Sequence, residues 1–486
     1  MPRNVAVSVG LRSERGPILL SLMLATALVA LDATIIATAS ATIARELGGF
    51  EQLPWLFSTY LLAQAVSTPV FGRLADVLGR KRLMLAGVGL FFLGSVLCGA
   101  APTMELLIAG RVLQGLGAGA VMPVSMTIAA DIYTLEERAK TQGYLASVWA
   151  ISAVVGPTLG GVFSEFTSWR WIFLVNVPLC ALAAWMLARR YHEPAREGSR
   201  EPIDYIGAGL LAGGSTLLLL GLLEGGTRWA WVSPASVAIF AAGLLLLATF
   251  ALHGRRTRHP IVDVSILRRR VVGVSTAISL LVGVVVLGLS TYVPIYAQGV
   301  LGTGPLVAGF ALAAMTIGWP LSASNAGRLY LRMGFRLTAV VGTCLVVVGT
   351  ALTLLLGASS SVLAVAAACF VIGAGMGLTA VPTLIAAQSQ ASFSERGAVT
   401  GTNMFARSLG SAVGVAVCGA IVNARTTLGP DGTPAGPGLM SAVHLVFWLL
   451  AAVAVALVAL AALMPADRQA ARQRRAETAA TQAAAA

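Results

Sequence analysis

Charged residues are scarce in this chain. They make up 11% of its 486 residues, against 57% for hydrophobic residues, and the mean hydropathy is +0.84. A soluble domain carries about twice that charged fraction. Apolar runs of about 20 residues, the length of a helix that crosses a bilayer, recur along the whole chain. We therefore predict an all-α integral membrane protein. A β-barrel is excluded, because its spans alternate apolar and polar residues.

Paired cysteines and catalytic motifs are also lacking. The five cysteines fall inside apolar runs without a C-x-x-C pair, which is typical of small packing residues and not of disulfides or a metal site. The sequence has no phosphate-binding loop, no H-E-x-x-H and no G-x-S-x-G. These absences argue against an ATP-driven pump and against an enzyme, and they predict neither a cofactor nor a metal site.

Lysine is nearly absent too, occurring only at Lys81 and Lys140 beside abundant arginine and alanine. That bias is typical of a GC-rich bacterial genome.

The apolar runs predict fourteen spans, with the boundaries that follow. They lie near 17–42, 53–72, 83–101, 104–124, 141–163, 170–188, 203–223, 234–252, 271–297, 305–325, 337–357, 361–386, 398–423 and 440–464.

The net charge of +13 has a topological explanation. If the spans alternate in direction from a cytoplasmic N-terminus, roughly 27 basic residues fall on one side of the membrane and 4 on the other. Loops rich in Arg and Lys stay in the cytoplasm. We therefore predict a multi-pass protein of a bacterial plasma membrane with both termini cytoplasmic, and no role in binding nucleic acid.

A short loop pattern occurs twice. Residues 72–82 read GRLADVLGRKR, and residues 327–336 read GRLYLRMGFR. Both copies lie between apolar runs, and a repeat at this distance indicates a duplicated bundle. We predict a cytoplasmic lead (1–15), a six-helix bundle (16–190), an inserted helix pair with its linkers (191–270), a second six-helix bundle (271–465) and a cytoplasmic tail (466–486).

Several motifs together resemble the major facilitator superfamily, and within it the fourteen-helix drug:proton antiporter branch. The first loop copy is similar to the superfamily motif G-x-L-A-D-x-x-G-R-K. Residues 31–35 (LDATI), 111–117 (RVLQGLG) and 156–161 (GPTLGG) are similar to motifs of the first, fourth and fifth helices, and residues 169–178 (WRWIFLVNVP) are similar to the W-R-W-x-F-x-x-N-x-P segment of that branch. The resemblance implies two six-helix bundles that rock about a central cavity.

The resemblance also implies a function. We expect a proton-coupled antiporter that exports amphiphilic drugs, cationic or neutral, by alternating access, and we expect it to be monomeric. Export of an endogenous lipid or secondary metabolite on the same fold is an alternative. A non-transporting receptor or a membrane enzyme is a further alternative, although paired catalytic acids or histidines do not appear at either interface.

Asp32 is the acid that falls deep inside a predicted span. Its position is about 15 Å from the outer end of its helix, and that of Arg111 is about 10 Å from the outer end of its own, at 1.5 Å per residue. Ionisable residues within the membrane usually mark functional sites. We hypothesise that Asp32 carries the coupling proton while Arg111 tunes its pKa. A static ion pair between two helices is the alternative.

Three further sets of residues are candidates. A conformational latch, present in the first loop copy only, comprises Gly72, Arg73, Asp76, Gly79 and Arg80, because the second copy has Leu331 where the first has the acid. A tight seal between the halves comprises Gly156, Pro157, Gly160 and Gly161, since small residues let helices approach closely. The substrate cavity is predicted to include Tyr60, Gln64, Gln114, Tyr292, Tyr296, Asn403 and Arg407.

Overall fold

The computed structural model describes residues 10–48, 52–193, 204–225, 229–257, 260, 264–428, 434–435 and 438–466. Most of the predicted N-terminal lead and nearly all of the predicted tail lie outside these residues, as does part of the linker after residue 193. The described chain is almost wholly helical, as its apolar composition requires, since backbone groups within a bilayer must be paired internally.

The helices follow the apolar runs in chain order. They are α1 (Gly16–Leu47), α2 (Leu53–Leu78), α3 (Arg80–Ala100), α4 (Met104–Ile132), α5 (Leu135–Phe166), α6 (Trp171–Leu174), α7 (Asn176–Arg190), α8 (Tyr205–Glu224), α9 (Pro234–Arg256), α10 (Arg270–Gly299), α11 (Pro305–Leu354), α12 (Val362–Ser389), α13 (Arg396–Asn423) and α14 (Leu439–Ala462). Short 3-10 turns cover Val264–Arg268 and Phe393–Glu395. Two-residue strands, β1 (Thr427–Leu428) and β2 (Pro434–Ala435), pair antiparallel.

Glycine produces the same sharp bend in both copies of the loop pattern. Gly79 has φ 102° and separates α2 from α3. Gly334 has φ 88° and breaks the 50-residue α11 into two helical parts. These positive φ values lie in a region that residues with a Cβ rarely adopt. The repeat read from the sequence is therefore a repeat of backbone conformation as well.

Twelve helical stretches of the described chain are long and apolar enough to cross a membrane, so this is a multi-pass membrane protein. One of them, Val307–Leu354, contains the Gly334 bend, and α2 falls outside the twelve. The count of fourteen spans therefore stays a prediction.

The buried side chains form separate clusters in the two halves. The largest cluster draws its fully buried members from residues 278–464, and the next draws nearly all of its own from residues 19–191. Lipid is as apolar as these side chains, so close packing and polar contacts hold the helices together. We call residues 16–190 the first half and residues 271–465 the second half.

The inserted pair, α8 and α9, lies against both halves. Leu219 of α8 packs with Ala65 and Val66 of α2 and with Ala412 of α13. At the other end of the pair, His253 Nε2 lies 2.9 Å from Asp204 Oδ1 and ties α9 to the start of α8. Helix α8 therefore covers the seam where α2 of the first half meets α13 of the second, and α9 packs on α8.

Candidate functional site

A buried ion pair lies between α1 and α4. Arg111 Nη1 is 2.5 Å from Asp32 Oδ2, and both side chains are almost completely buried. Arg111 Nε donates to the Leu56 carbonyl oxygen at 3.0 Å, and its guanidinium lies 4.1 Å from the centre of the Tyr60 ring. The two charged residues that the sequence placed at similar depth are therefore in direct contact.

Two amides complete this cluster. Gln114 Nε2 donates to Asp32 Oδ1 at 3.1 Å and to Ser95 Oγ at 2.9 Å, while its Oε1 accepts from Arg111 at 2.8 Å. Asn176 Nδ2 lies 3.5 Å from Asp32 Oδ1. The cluster thus joins α1, α3, α4 and α7 of the first half, and Leu56 and Tyr60 of α2 contact Arg111 as well.

Arg111 has other polar contacts besides Asp32. A buried pair is costly to break mainly because the remaining charge loses its partner. If Asp32 were protonated, Arg111 would still have Gln114 Oε1 at 2.8 Å, the Leu56 carbonyl oxygen at 3.0 Å and the Tyr60 ring as partners. Hydrogen bonds and ring contacts of this kind lower the cost of leaving a guanidinium without a carboxylate.

A second charged network lies at the face of the bundle where the arginine-rich loops gather, which we call the basic face. The Asp76 side chain is fully buried at the end of α2. Its two oxygens accept hydrogen bonds from the backbone N–H groups of Gly397, at 3.0 Å, and Ala398, at 2.8 Å, which begin α13 of the second half. A carboxylate at a helix N-terminus meets unpaired N–H groups and a favourable helix dipole. Asp76 therefore fastens one half to the other.

Arg80 connects this contact to a further acid. It lies 3.0 Å from Asp76 Oδ1 and 3.0 Å from Asp131 Oδ2 at the end of α4. It also donates to the Phe393 carbonyl oxygen at 2.5 Å and lies over the Phe393 ring. Asp131 in turn pairs with Arg396 of the second half at 2.8 Å. Sequence reasoning missed Asp131, because it falls between the predicted spans 104–124 and 141–163, where an acid is unremarkable, whereas α4 extends to Ile132.

The remaining latch candidates belong to the same contact. Arg73 donates to the Ser394 carbonyl oxygen at 3.0 Å. A Cβ added at Gly72 would lie 2.5 Å from the Gly397 carbonyl oxygen, so the two helices touch through bare backbone. At Gly79, Glu193 reaches the start of α3 and accepts from the Arg80 backbone N–H at 2.9 Å. All five latch residues predicted from the sequence lie together at the basic face.

The second loop copy makes a different contact. Its Tyr330, at the position of Ala75 in the first copy, donates a short hydrogen bond to the Leu135 carbonyl oxygen at the start of α5. Leu331, at the position of Asp76, is 40% exposed. The halves are thus joined at two related places, but a buried carboxylate serves only the first.

The glycines predicted to seal the two halves lie elsewhere. A Cβ added at Gly156 would lie 2.0 Å from Thr34 Oγ1, and Thr34 belongs to α1 of the same half. Gly160 is buried, while a Cβ at Gly161 would meet nothing within 4 Å, and the Pro157 side chain lies outside the described residues. For Gly156 the prediction of a seal between the halves is wrong in this conformation, because the helix that it touches is α1.

A cavity of about 440 Å³ lies between the halves. Its walls come from α4 and α5 of the first half and from α10, α11, α12 and α13 of the second. Large apolar side chains dominate these walls, with a few polar groups. The members used below are Met122, Met126, Trp149, Met315, Trp319, Asn403 and Arg407. A largely apolar chamber with few polar groups is typical of small-molecule sites.

Of the residues predicted to line this cavity, Asn403 and Arg407 do so. The other five, which do not border it, are Tyr60, Gln64, Gln114, Tyr292 and Tyr296. For these five, a place in the substrate cavity stays a prediction that this cavity does not support.

Four of these five residues have contacts elsewhere in the structure. Tyr60 and Gln114 belong to the Asp32 cluster. Tyr292 is buried in the apolar core of the second half, and the Tyr296 hydroxyl donates to the Gly357 carbonyl oxygen at 2.7 Å. Asp32 does not border the cavity either. In this conformation Asp32 is therefore not placed to contact a substrate in the cavity.

The sequence matches the model of the Major Facilitator Superfamily over residues 22–415. The chain belongs to the Major Facilitator Superfamily. The predicted family is therefore confirmed, and the protein is a membrane transporter and not an enzyme.

Two curated relatives from Bacillus subtilis (strain 168) are similar to this chain. Multidrug transporter protein MdtP is 32% identical over 419 residues, which cover 86% of this chain and 77% of the relative. Multidrug resistance protein 3 is 32% identical over 406 residues, covering 83% and 79%. Among solved structures, the human organic anion transporter MFSD10 (TETRAN) matches with a TM-score of 0.63 at 16% identity, covering 92% of this chain and 99% of that one. That likeness shows the fold.

Proposed function

We propose that this transporter is a proton-coupled antiporter that exports amphiphilic drugs from the cytoplasm by alternating access. The names of the two bacterial relatives support drug efflux. The observation that carries the coupling is the buried Asp32–Arg111 pair, in which the arginine has a second set of acceptors. An acid with such surroundings can take up and release a proton without leaving the Arg111 guanidinium unpaired in the membrane.

The transport cycle follows from the two sites. The basic face is the cytoplasmic face by the positive-inside rule, and the Asp76 contacts hold it closed in this conformation. Protonation of Asp32 loosens its hold on Arg111 and favours opening of that face. Substrate then enters the cavity, the proton leaves to the cytoplasm, and the Asp76 latch closes again. Fourteen spans, with residues 16–190 and 271–465 as the two moving bundles, are part of this proposal.

The test separates coupling from transport. Inverted membrane vesicles with an acidic lumen would receive fluorescent amphiphiles of each charge. At a pH difference of about 2, exchange of one proton for one neutral substrate supports up to about 100-fold accumulation. We expect Asp32→Asn to abolish this uphill accumulation while substrate–substrate exchange continues. Glu136→Gln, which removes an exposed carboxylate near the start of α5, serves as the control.

Uphill accumulation by Asp32→Asn equal to that of the unmodified protein would refute the coupling role. Loss of both accumulation and exchange, with correct membrane insertion, would instead mean that Asp32 holds the helices together. That second outcome would favour the static ion pair.

A further inference from the structure

The cavity wall holds a guanidinium with an unusual environment. Arg407 lies in α13 and borders the cavity, and among the described residues none forms a hydrogen bond or ion pair with its side chain. The buried Arg111 and Arg80 each have a carboxylate at 2.5–3.0 Å. The described cavity lining contains no Asp or Glu that could serve Arg407 in the same way.

The backbone of Arg407 is held in place by close packing. A Cβ added at Gly283 of α10 would lie 2.0 Å from the Arg407 carbonyl oxygen, so the two helices are in direct contact there. The polar neighbours on α13 have partners of their own. Asn403 donates to Ser275 Oγ at 3.1 Å, and Ser411 Oγ donates to the Gly283 carbonyl oxygen at 3.2 Å. Of the polar side chains that α13 contributes to this lining, Arg407 is thus the one with no hydrogen-bond partner among the described residues, so its donors are left for a ligand.

A guanidinium away from bulk water is costly unless it is paired. Its planar array of five N–H donors matches a carboxylate or another oxyanion, often through two parallel hydrogen bonds. The aromatic rings of Trp149 and Trp319 and the flexible methionines Met122 and Met315 form apolar walls in the same cavity. Methionine-rich walls adapt to ligands of different shape.

We infer that the cavity takes amphiphilic substrates that carry an anionic group, of the carboxylate class, and that Arg407 binds that group. The aromatic or aliphatic body of the substrate lies against the tryptophans and methionines. This inference rests on the proposed export function and specifies its substrate class. It differs from the expectation of cationic or neutral substrates that the family resemblance implies.

Binding of three probes that share one ring system tests the inference. They are 2-naphthoate, 2-naphthamide and 2-naphthylmethylammonium, which carry charges of −1, 0 and +1. Equilibrium dialysis against the full-length protein in lipid nanodiscs gives each affinity without a proton gradient, and empty nanodiscs correct for partition into lipid. A defect in proton coupling therefore leaves this measurement intact.

We expect the carboxylate to bind at least tenfold more tightly than the ammonium. Arg407→Gln should lose most of the carboxylate affinity, by about tenfold or more, and keep that of the neutral amide. Arg407→Lys should retain part of the preference, because the charge remains while the fork geometry is lost. If Arg407→Gln fails to fold, the ranking of the three probes on the unmodified protein decides.

Three outcomes would overturn the inference. One is equal or tighter binding of the ammonium probe. Another is unchanged carboxylate affinity in folded Arg407→Gln. The third is a lack of saturable carboxylate binding up to about 1 mM, an affinity too weak for a built site.

Discussion

Substitution of Asp76 by asparagine should release the basic face. The native carboxylate accepts two backbone N–H groups from the start of α13, at 3.0 and 2.8 Å, within a fully buried contact. Asparagine is uncharged and has one acceptor oxygen, so at least one of these charge-assisted hydrogen bonds is lost. Arg80 keeps Asp131 at 3.0 Å, so its own charge stays paired.

The size of the expected shift between the closed and open basic face follows from the lost hydrogen bond. A hydrogen bond to a charged group contributes about 1.5–3 kcal/mol. Because the bond joins the two halves, its loss acts on the equilibrium between the closed and open basic face. At about 1.4 kcal/mol per factor of ten, the open state should gain about ten- to hundredfold in relative population.

Distance measurements by double electron–electron resonance can detect this shift. Spin labels at cysteines introduced for Lys140 of α5 and Arg332 of α11 lie on exposed positions in opposite halves near the basic face. The native exposed Cys344 would first be replaced by serine. We expect the Asp76→Asn variant to show a larger fraction of long distances than the unmodified protein.

Glu136→Gln provides the matched control, since it removes an exposed carboxylate near the same face. It should leave the distance distribution unchanged. Identical distributions for Asp76→Asn and Glu136→Gln, in protein that is folded and inserted, would refute the role of Asp76 as a latch.

Two further predictions concern stability. Gly156→Ala should lower the thermal unfolding midpoint, because its Cβ would lie 2.0 Å from Thr34 Oγ1. Gly161→Ala should leave the midpoint unchanged, because its Cβ would meet nothing within 4 Å. Equal midpoints for the two variants would contradict the packing described here. Glu46 lies beyond the apolar stretch of α1, and its hydrogen bond with Arg170 lowers its pKa below the usual value. The stabilisation is present above the unfolded-state pKa of about 4.5 and is lost as the pH falls through the folded value, so Glu46→Gln should cost about 0.2–1 kcal/mol at pH 7 and less at pH 3. A cost that grows on acidification would refute it.

The sequence was informative wherever distance along a helix determined position. Counting 1.5 Å per residue placed Asp32 and Arg111 at similar depth, and their side chains meet at 2.5 Å. Helical spacing also contained a signal that was not used. Gln114 lies three residues after Arg111 and so shares its face, which predicts a place in the ion-pair cluster and not in the cavity.

The sequence was less informative wherever a contact depended on which helix packs opposite. The small residues after Gly156 indicate a close approach, but not that α1 is the helix approached. Asp131 and Glu193 lie at helix ends, where acids are common, and their roles depend on the way the loop at Gly79 folds back. Asn176 stood within a recognised motif, yet its contact with Asp32 required α7 to be placed beside α1.

The most direct test of the proposed proton coupling measures the proton that Asp32 carries. Purified protein in detergent, in weakly buffered solution with a pH indicator, would be mixed with a saturating transported substrate. We expect release of protons by the unmodified protein and by Glu136→Gln, and none by Asp32→Asn that binds the same substrate. Proton release of equal size from Asp32→Asn would show that another group carries the coupling proton and would contradict the account.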